Sequence, residues 1–462
     1  MRSIVTCGLF LLLVFSPAIA APDATKGQIL EKVVCEADST QTYALYVPSS
    51  YTAEKLWPVI YCFDPGARGK TPVERLLAAA EEYGYILAGS NNSRNGAWEA
   101  NEAAIQAMTR DVAAHFSIDR RRIYTAGLSG GSRVAIQVAM TGYAKGVIAC
   151  SAGFTEPVPI RVPFPIFGTA GLEDFNYREM KQLDVDLEAR AAAHRIVIFD
   201  GGHEWAPATL LAQAVEWLEL QAMRMGTRDR NEKMLNALWE TRVAAVPPRA
   251  GLERWRELKS LAVDFKGLRD TGDAEAEEKR LGSTAEVKDA IKAERALIAR
   301  EVALLEKLVG TANRSAATKQ KLATEVRGKA EAAEDSPERR MALRVLASYF
   351  YMVREDVRGF FTSRDYVSAA DMLELAVLLR PGQSRTWFDL ARARGYSRDP
   401  QRAYEPLRQA VTAGFSDAAR AETEPAFAKI KAEPAFQTIL AAMRANPPEA
   451  ERRPGEGRGR FP

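Results

Sequence analysis

The sequence predicts an α/β fold: a doubly wound, mostly parallel sheet followed by an all-α region. Three observations lead there. Short, apolar, β-rich runs recur through the first 200 residues, and the later ones alternate with helical segments of a dozen or so residues. One run leads through Gly127-Leu128-Ser129-Gly130-Gly131 straight into a helical pattern. Beyond about residue 226, glycine and strand signals fade and charged helical segments take over.

The runs fall at 29–35, 42–47, 58–63, 85–89, 123–126, 146–150, 165–167 and 195–199. The first two have no helix between them and should form an antiparallel edge pair. A helix is expected over 101–116. The polar stretch Ser90–Trp98 lies at the carboxyl end of the fourth run, where open α/β sheets place their chemistry. Trp98 and Asn92 are candidate substrate-binding residues there, with Trp98 as an aromatic wall. The other reading is that the asparagines cap their own turns.

Ser129 sits in the tight turn between strand and helix. A serine in such a turn takes a strained backbone conformation that lifts its hydroxyl clear of the sheet. Small residues are needed on both sides, where a Cβ would meet a neighbouring strand or helix. The helix behind it aims unpaired N–H groups at any oxyanion formed in front. A nucleophile of this kind needs a base and an acid after it, in the order Ser, Asp/Glu, His. The chain has three histidines. His115 precedes the serine, and His194 belongs to the N-terminal end of the last strand. His203, in Gly201-Gly202-His203 just after that strand, is the candidate base. Asp174, in the loop after the strand read over 162–169, is the candidate acid, with Glu173 as its rival.

Taken in this order, the Gly-Leu-Ser-Gly-Gly turn, the Gly-Thr…Asp loop and the Gly-Gly-His loop resemble the α/β-hydrolase superfamily. Within it, the look is that of secreted esterases such as feruloyl esterases and polyhydroxyalkanoate depolymerases. The resemblance spans roughly residues 29–225 and implies the fold, a Ser129–His203–Asp174 triad and an oxyanion hole. Many members carry a His-Gly turn after the third strand. Here that strand ends in Asp64-Pro65-Gly66-Ala67-Arg68-Gly69, so Gly66 or Ala67 is expected to present an N–H beside that of Gly130, with Asp64 turned away.

The 462 residues exceed what one core usually supports. The domains are read as a signal peptide over 1–20, a catalytic domain over 21–225, a charged helical region over 226–344, helical repeats over 345–443 and a disordered tail over 444–462. The leader has Arg2, an apolar run from Ile4 to Phe15 and an Ala18-x-Ala20 cleavage pattern, which predicts export to a periplasm or the medium. That run is too short to span a bilayer and no other approaches it. A net charge of +3 implies no nucleic-acid partner. After cleavage Cys35, Cys62 and Cys150 remain, read as buried free thiols. No cluster of metal ligands or cofactor motif is present.

Helices are expected over 231–243, 251–262 and 285–308, with Trp239 and Trp255 anchoring their packing. Ala369, Leu373 and Ala376 recur as Ala403, Leu407 and Ala410, an offset of about 34. With Pro381 and with Trp387, Leu390 and Ala391, this resembles tetratricopeptide repeats over about 345–415. Pro406 departs from that pattern and should bend its helix. The expected activity is hydrolysis of a small or polymeric carboxylic ester through an acyl-enzyme, with the repeats positioning the enzyme or binding a protein. The alternatives are a catalytically dead scaffold in a repeat-based binding protein, and a serine peptidase.

Overall fold

The computed structural model describes residues 26–447. The expected leader and the tail beyond 447 lie outside the described residues. In chain order the sheet-bearing part contains β1 (Ile29–Cys35), β2 (Asp38–Tyr46), β3 (Trp57–Phe63), α1 (Lys70–Tyr83), β4 (Ile86–Ser90), α2 (Trp98–His115), β5 (Ile118–Leu128), α3 (Gly130–Met140), β6 (Val147–Cys150), β7 (Ile166–Gly171), α4 (Tyr177–Ala189), β8 (His194–Phe199) and α5 (Ala208–Arg224). Then come α6 (Glu232–Ala244), α7 (Leu252–Phe265), α8 (Gly272–Gly282), α9 (Ala285–Val309), α10 (Ala316–Ala330), α11 (Pro337–Ser363) and α12 (Tyr366–Leu379). The last are α13 (Ser384–Gly395), α14 (Tyr404–Thr412), α15 (Ala418–Thr423) and α16 (Pro434–Ala445).

The strands form one sheet in the order β1-β2-β4-β3-β5-β6-β7-β8. The edge strand β1 is antiparallel to β2, and β2 to β4, whereas β3 runs parallel to both β4 and β5. Every residue of β3 is buried, which is why it reads as an unbroken apolar run. β5 is longer than its apolar signal. Its polar start pairs at Trp57–Ile118 before a register shift, so exposed residues join the strand ahead of the buried part. β7 begins at Ile166, later than the run of prolines before it suggests, since proline cannot donate to the ladder.

The described chain divides into two compact units, and the division passes through β6. The first holds residues up to Ile148, with Pro163–Pro165 and Pro207–Leu218. Its turn at Ser129 depends on two glycines. A Cβ on Gly127 would collide with the carbonyl oxygen of Gly131, and one on Gly131 with that of Phe63. Cys35, Cys62 and Cys150 are buried free thiols, and burial with Asp111 and Asp38 nearby pushes Cys35 up to about 11.

The second unit holds Ala149–Val162, Ile166–Ala206 and everything from Glu219 onward. β7 and β8 pair in parallel over six registered residues. The helices after α5 bury three successive cores. Leu235, Phe265 and Leu281 belong to the first, with Trp239 edge-on to Phe265. Leu308, Leu322, Val345, Tyr349 and Leu373 belong to the second, and Phe388, Leu407, Phe427 and Leu440 to the third. Side-chain N-caps start α9 (Thr284), α10 (Ser315), α11 (Ser336) and α12 (Asp365). α8 and α10 lie where the sequence marks no helix, being polar over most of their surface. The recurring Ala369, Leu373, Ala376, Ala403, Leu407 and Ala410 are all buried. Pro406 does not fall inside its helix as expected. A 3-10 turn over Pro400–Ala403 precedes α14, so Pro406 falls in the first helical turn, where its missing N–H costs nothing.

Two outcomes are expected. Gly131→Ala should lower stability by roughly 1–3 kcal/mol in denaturant titrations, because backbone must move. Gly130→Ala, whose Cβ meets only the movable end of Asn95, should change it by less than about 0.5 kcal/mol. The second outcome concerns pH. Burial opposes charge on His194, but its bonds with Asp184 and the Ala192 carbonyl outweigh this and raise its pKa. Its contribution is therefore complete below about pH 6.5 and fades as the pH rises through the higher folded value. Asp184→Asn should weaken that dependence in stability measured between about pH 6 and 9, leaving the share owed to the Ala192 carbonyl.

Candidate active site

In the first unit Ser129 has φ 53° and ψ −121°, an unfavourable conformation for a residue with a Cβ. It directly precedes α3, so the Gly130 N–H belongs to the helical turn that has no intrahelical acceptor. The Asn95 side chain rests against Gly130. The loop carrying Asn95 is tied to the turn after β3, with the Asn95 N–H donating to the Pro65 carbonyl (3.0 Å) and a bridge between Gly66 and Arg94.

That turn differs from the expectation. Asp64 is fully buried and its Oδ1 accepts from the Gly66 N–H (2.8 Å) and from Arg68 Nε (2.8 Å). The Ala67 N–H donates to the Asp64 carbonyl (3.1 Å). Both N–H groups expected to face a ligand are thus used inside the turn, Gly66 by the buried carboxylate, which draws a near donor to itself, and Ala67 by a turn bond to the backbone. Asn92 is likewise occupied. Its Oδ1 accepts from the Thr42 N–H and its Nδ2 donates to the Thr40 carbonyl, which fastens the loop to β2. Trp98 opens α2 and is exposed.

The second unit brings Asp174 and His203 together. β7 ends at Gly171, where a Cβ would collide with the carbonyl oxygens of Gly201 and Gly202. The bare backbone lets the loop after β8 cross over it. Leu172 and Glu173 N–H groups then donate to the Phe199 and Gly201 carbonyls at 2.8 and 2.9 Å. His203 Nδ1 lies 2.8 Å from Asp174 Oδ1, which also accepts from the Asn176 N–H at 2.8 Å. Asp174 has 0% exposure and the His203 side chain 11%. Asp174 Oδ2 is buried with no hydrogen-bond partner among the described residues, so its charge rests on the contacts of Oδ1. Glu173, the rival acid, turns away and meets Arg339 at 3.4 Å. His115 instead bonds the Asp111 carbonyl and Glu36, and His194 faces Asp184.

The sequence does not single out the residues around this pair. The Phe175 ring stacks on His203 at 3.9 Å between centroids, and Tyr351 of α11 stacks on Phe175 at 5.1 Å. Arg344 of α11 donates to the Leu172 carbonyl (2.7 Å) and pairs with Glu301. An aromatic beside the candidate acid was a local signal for Phe175, whereas nothing local marks Tyr351. Among the described residues no group of three or more His, Cys, Asp or Glu is arranged to hold a metal ion. No helix among them is long and apolar enough to cross a membrane.

No protein-family model matches the chain, and neither does any curated protein. Similar solved structures include the fluorophosphonate-binding serine hydrolase F of Staphylococcus aureus, at 14% identity over 41% of this chain and 96% of that one, with a TM-score of 0.34. A ferulic acid esterase matches at 17% identity over 41% and 96%, with a TM-score of 0.34. Est1E from Butyrivibrio proteoclasticus matches at 14% identity over 42% and 98%, with a TM-score of 0.33.

Asp174→Asn puts an amide where His203 Nδ1 needs an acceptor. The ring nitrogen shifts of His203 in NMR spectra should then report a changed tautomer, with about 1–3 kcal/mol of lost stability. Glu173→Gln, which removes only a half-exposed ion pair, should leave those shifts unchanged and alter stability by less than about 1 kcal/mol.

Proposed function

We propose that this chain is an exported serine hydrolase that cleaves carboxylic esters through Ser129, His203 and Asp174. The observation that carries the reading is the buried Asp174 carboxylate on His203 Nδ1, which fixes the tautomer that leaves Nε2 as a base. The strained Ser129 at the head of α3 supplies a matching nucleophile.

In the proposed cycle Ser129 Oγ attacks the ester carbonyl while its proton passes to His203 Nε2. The oxyanion forms against the Gly130 N–H and the positive end of α3. Collapse expels the alcohol, which takes the proton from His203, and leaves acyl-Ser129. Water then gives a proton to His203 and attacks the acyl group. The carboxylic acid leaves and Ser129 recovers its proton. Throughout, Asp174 stays ionised and stabilises the imidazolium. Trp98, exposed at the start of α2, is the candidate wall for the substrate. The helices over 345–443 are read as tetratricopeptide-like and as a site for a protein partner, and the leader as the signal for export.

A second reading, an inactive hydrolase-like scaffold, is favoured by one observation. The N–H groups of Gly66 and Ala67 are spent within their own turn, which leaves Gly130 as the oxyanion donor in hand. Labelling with a fluorophosphonate separates the two. The active enzyme should label, and Ser129→Ala and His203→Ala should not. Ser129→Ala should lower ester turnover by roughly 10^4-fold or more, with unfolding free energy within about 0.5 kcal/mol of wild type. A folded wild-type protein that does not label is the scaffold.

A further inference from the structure

The Asp174 and His203 loops belong to the same compact unit as the helices from α6 onward, and one stripe of α11 meets them. Arg340, Arg344 and Tyr351, spaced four and seven apart, lie on a single helix face. Arg340 reaches Asp200 (3.8 Å), the residue that opens the histidine loop. Arg344 is buried, with its guanidinium on the Glu301 carboxylate (2.9 Å), on the Leu172 carbonyl (2.7 Å) and over the Tyr177 ring (4.3 Å). This anchors α11 to the acid loop. Two turns further on, the Tyr351 ring stacks on Phe175 at an interplanar angle of 24°, and Phe175 stacks on His203 at 27°.

This column answers a mechanical need. The bond to Asp174 holds one ring atom of His203 but leaves the ring free to swing about it. The loop backbone is held at Gly201, whose carbonyl accepts from the Glu173 N–H (2.9 Å), but that bond does not fix the rotation of the ring itself. An aromatic face on the imidazole removes the remaining freedom only if that aromatic is itself held. Tyr351 holds it from the other side.

We infer that α11 is a positioning element for the catalytic base, with Tyr351 fixing the His203 imidazole through Phe175. α11 is then part of the catalytic apparatus, whatever the helices after it bind. The inference rests on His203 acting as the base. Tyr351 is a positioning residue, since it touches neither the imidazole nor the reacting atoms.

The test uses the full-length chain with Tyr351→Phe, Tyr351→Leu and Tyr351→Ala. Tyr351 is 42% exposed, so its truncation leaves no closed cavity, and thermal unfolding checks that each variant folds. Hydrolysis of p-nitrophenyl acetate should show kcat reduced roughly ten- to a hundred-fold in the Ala and Leu variants, with KM unchanged and the Phe variant near wild type. The proton on His203 Nδ1, read as a far-downfield NMR signal, should be sharp in wild type and Tyr351→Phe, and broadened or lost in Tyr351→Ala. An unchanged kcat with a sharp signal in Tyr351→Ala overturns the inference. So does a raised KM at unchanged kcat, which would make Tyr351 a substrate contact. The NMR signal does not depend on turnover. A wild type that neither labels nor turns over ends the esterase reading, while the signal still decides whether Tyr351 positions the ring.

Discussion

A carboxylate removed from water is strongly unfavourable unless hydrogen bonds meet its charge, and Asp174 has no exposed surface at all. Much of the second unit can be traced to that constraint. Oδ1 collects the Asn176 N–H and the His203 ring. The histidine loop must therefore cross the end of β7 at a distance that only a glycine at 171 permits. The crossing in turn leaves the Leu172 carbonyl facing α11, where Arg344 meets it. Arg344 is buried too, and Glu301 of α9 balances its charge. A chain of local satisfactions thus runs from one carboxyl group on a sheet loop to two helices more than a hundred residues later in the sequence.

Where a feature depends on its own neighbours in the chain, the sequence revealed it. All eight strands contain a short apolar run at its expected place, and β2 and β5 extend ahead of theirs through polar residues that carry no such signal. The Ser129 turn is legible because its glycines are required by contacts at Gly131 and Phe63 that any strand–turn–helix of this kind makes. Loop order set an acidic pair, Glu173 and Asp174, against His203 and left the choice between them open; the folded chain has Asp174 in contact. Side-chain commitments were not legible. Whether Gly66 keeps its N–H free depends on how deeply the Asp64 carboxylate is buried, and whether Ala67 does depends on how tightly the backbone turns after Asp64. Whether Asn92 faces a substrate depends on the β2 backbone lying within its reach. Pro406 was misjudged because the helix start depends on the 3-10 turn before it. Tyr351 carried no signal at all, since its partner is supplied by folding and not by spacing.

The boundary between the two architectures looks different in the structure from the way composition draws it. Composition changes near residue 226, where glycine gives way to charged helices. The packing divides within β6 and again within α5, so that β7, β8 and their loops share a unit with the helices. Hydrophobic patterning reports what each segment buries, not which neighbour buries it. The ion pairs Arg339–Glu173 and Lys259–Glu188, both partly exposed, bind the helical segments to the loop before α4 and to α4 itself. Each contributes little alone, and together they add registry to contacts that apolar burial drives.

The place of Tyr351 in the chain has a consequence for timing. A ribosome adds about 5–20 residues per second. Tyr351 lies about 150 residues beyond His203, so at that pace the histidine loop waits roughly seven to thirty seconds for the ring that steadies it. A nascent chain with the sheet complete but α11 not yet made would hold the Asp174–His203 pair without the Tyr351 ring behind it. Maturation of this centre is therefore an event of chain completion.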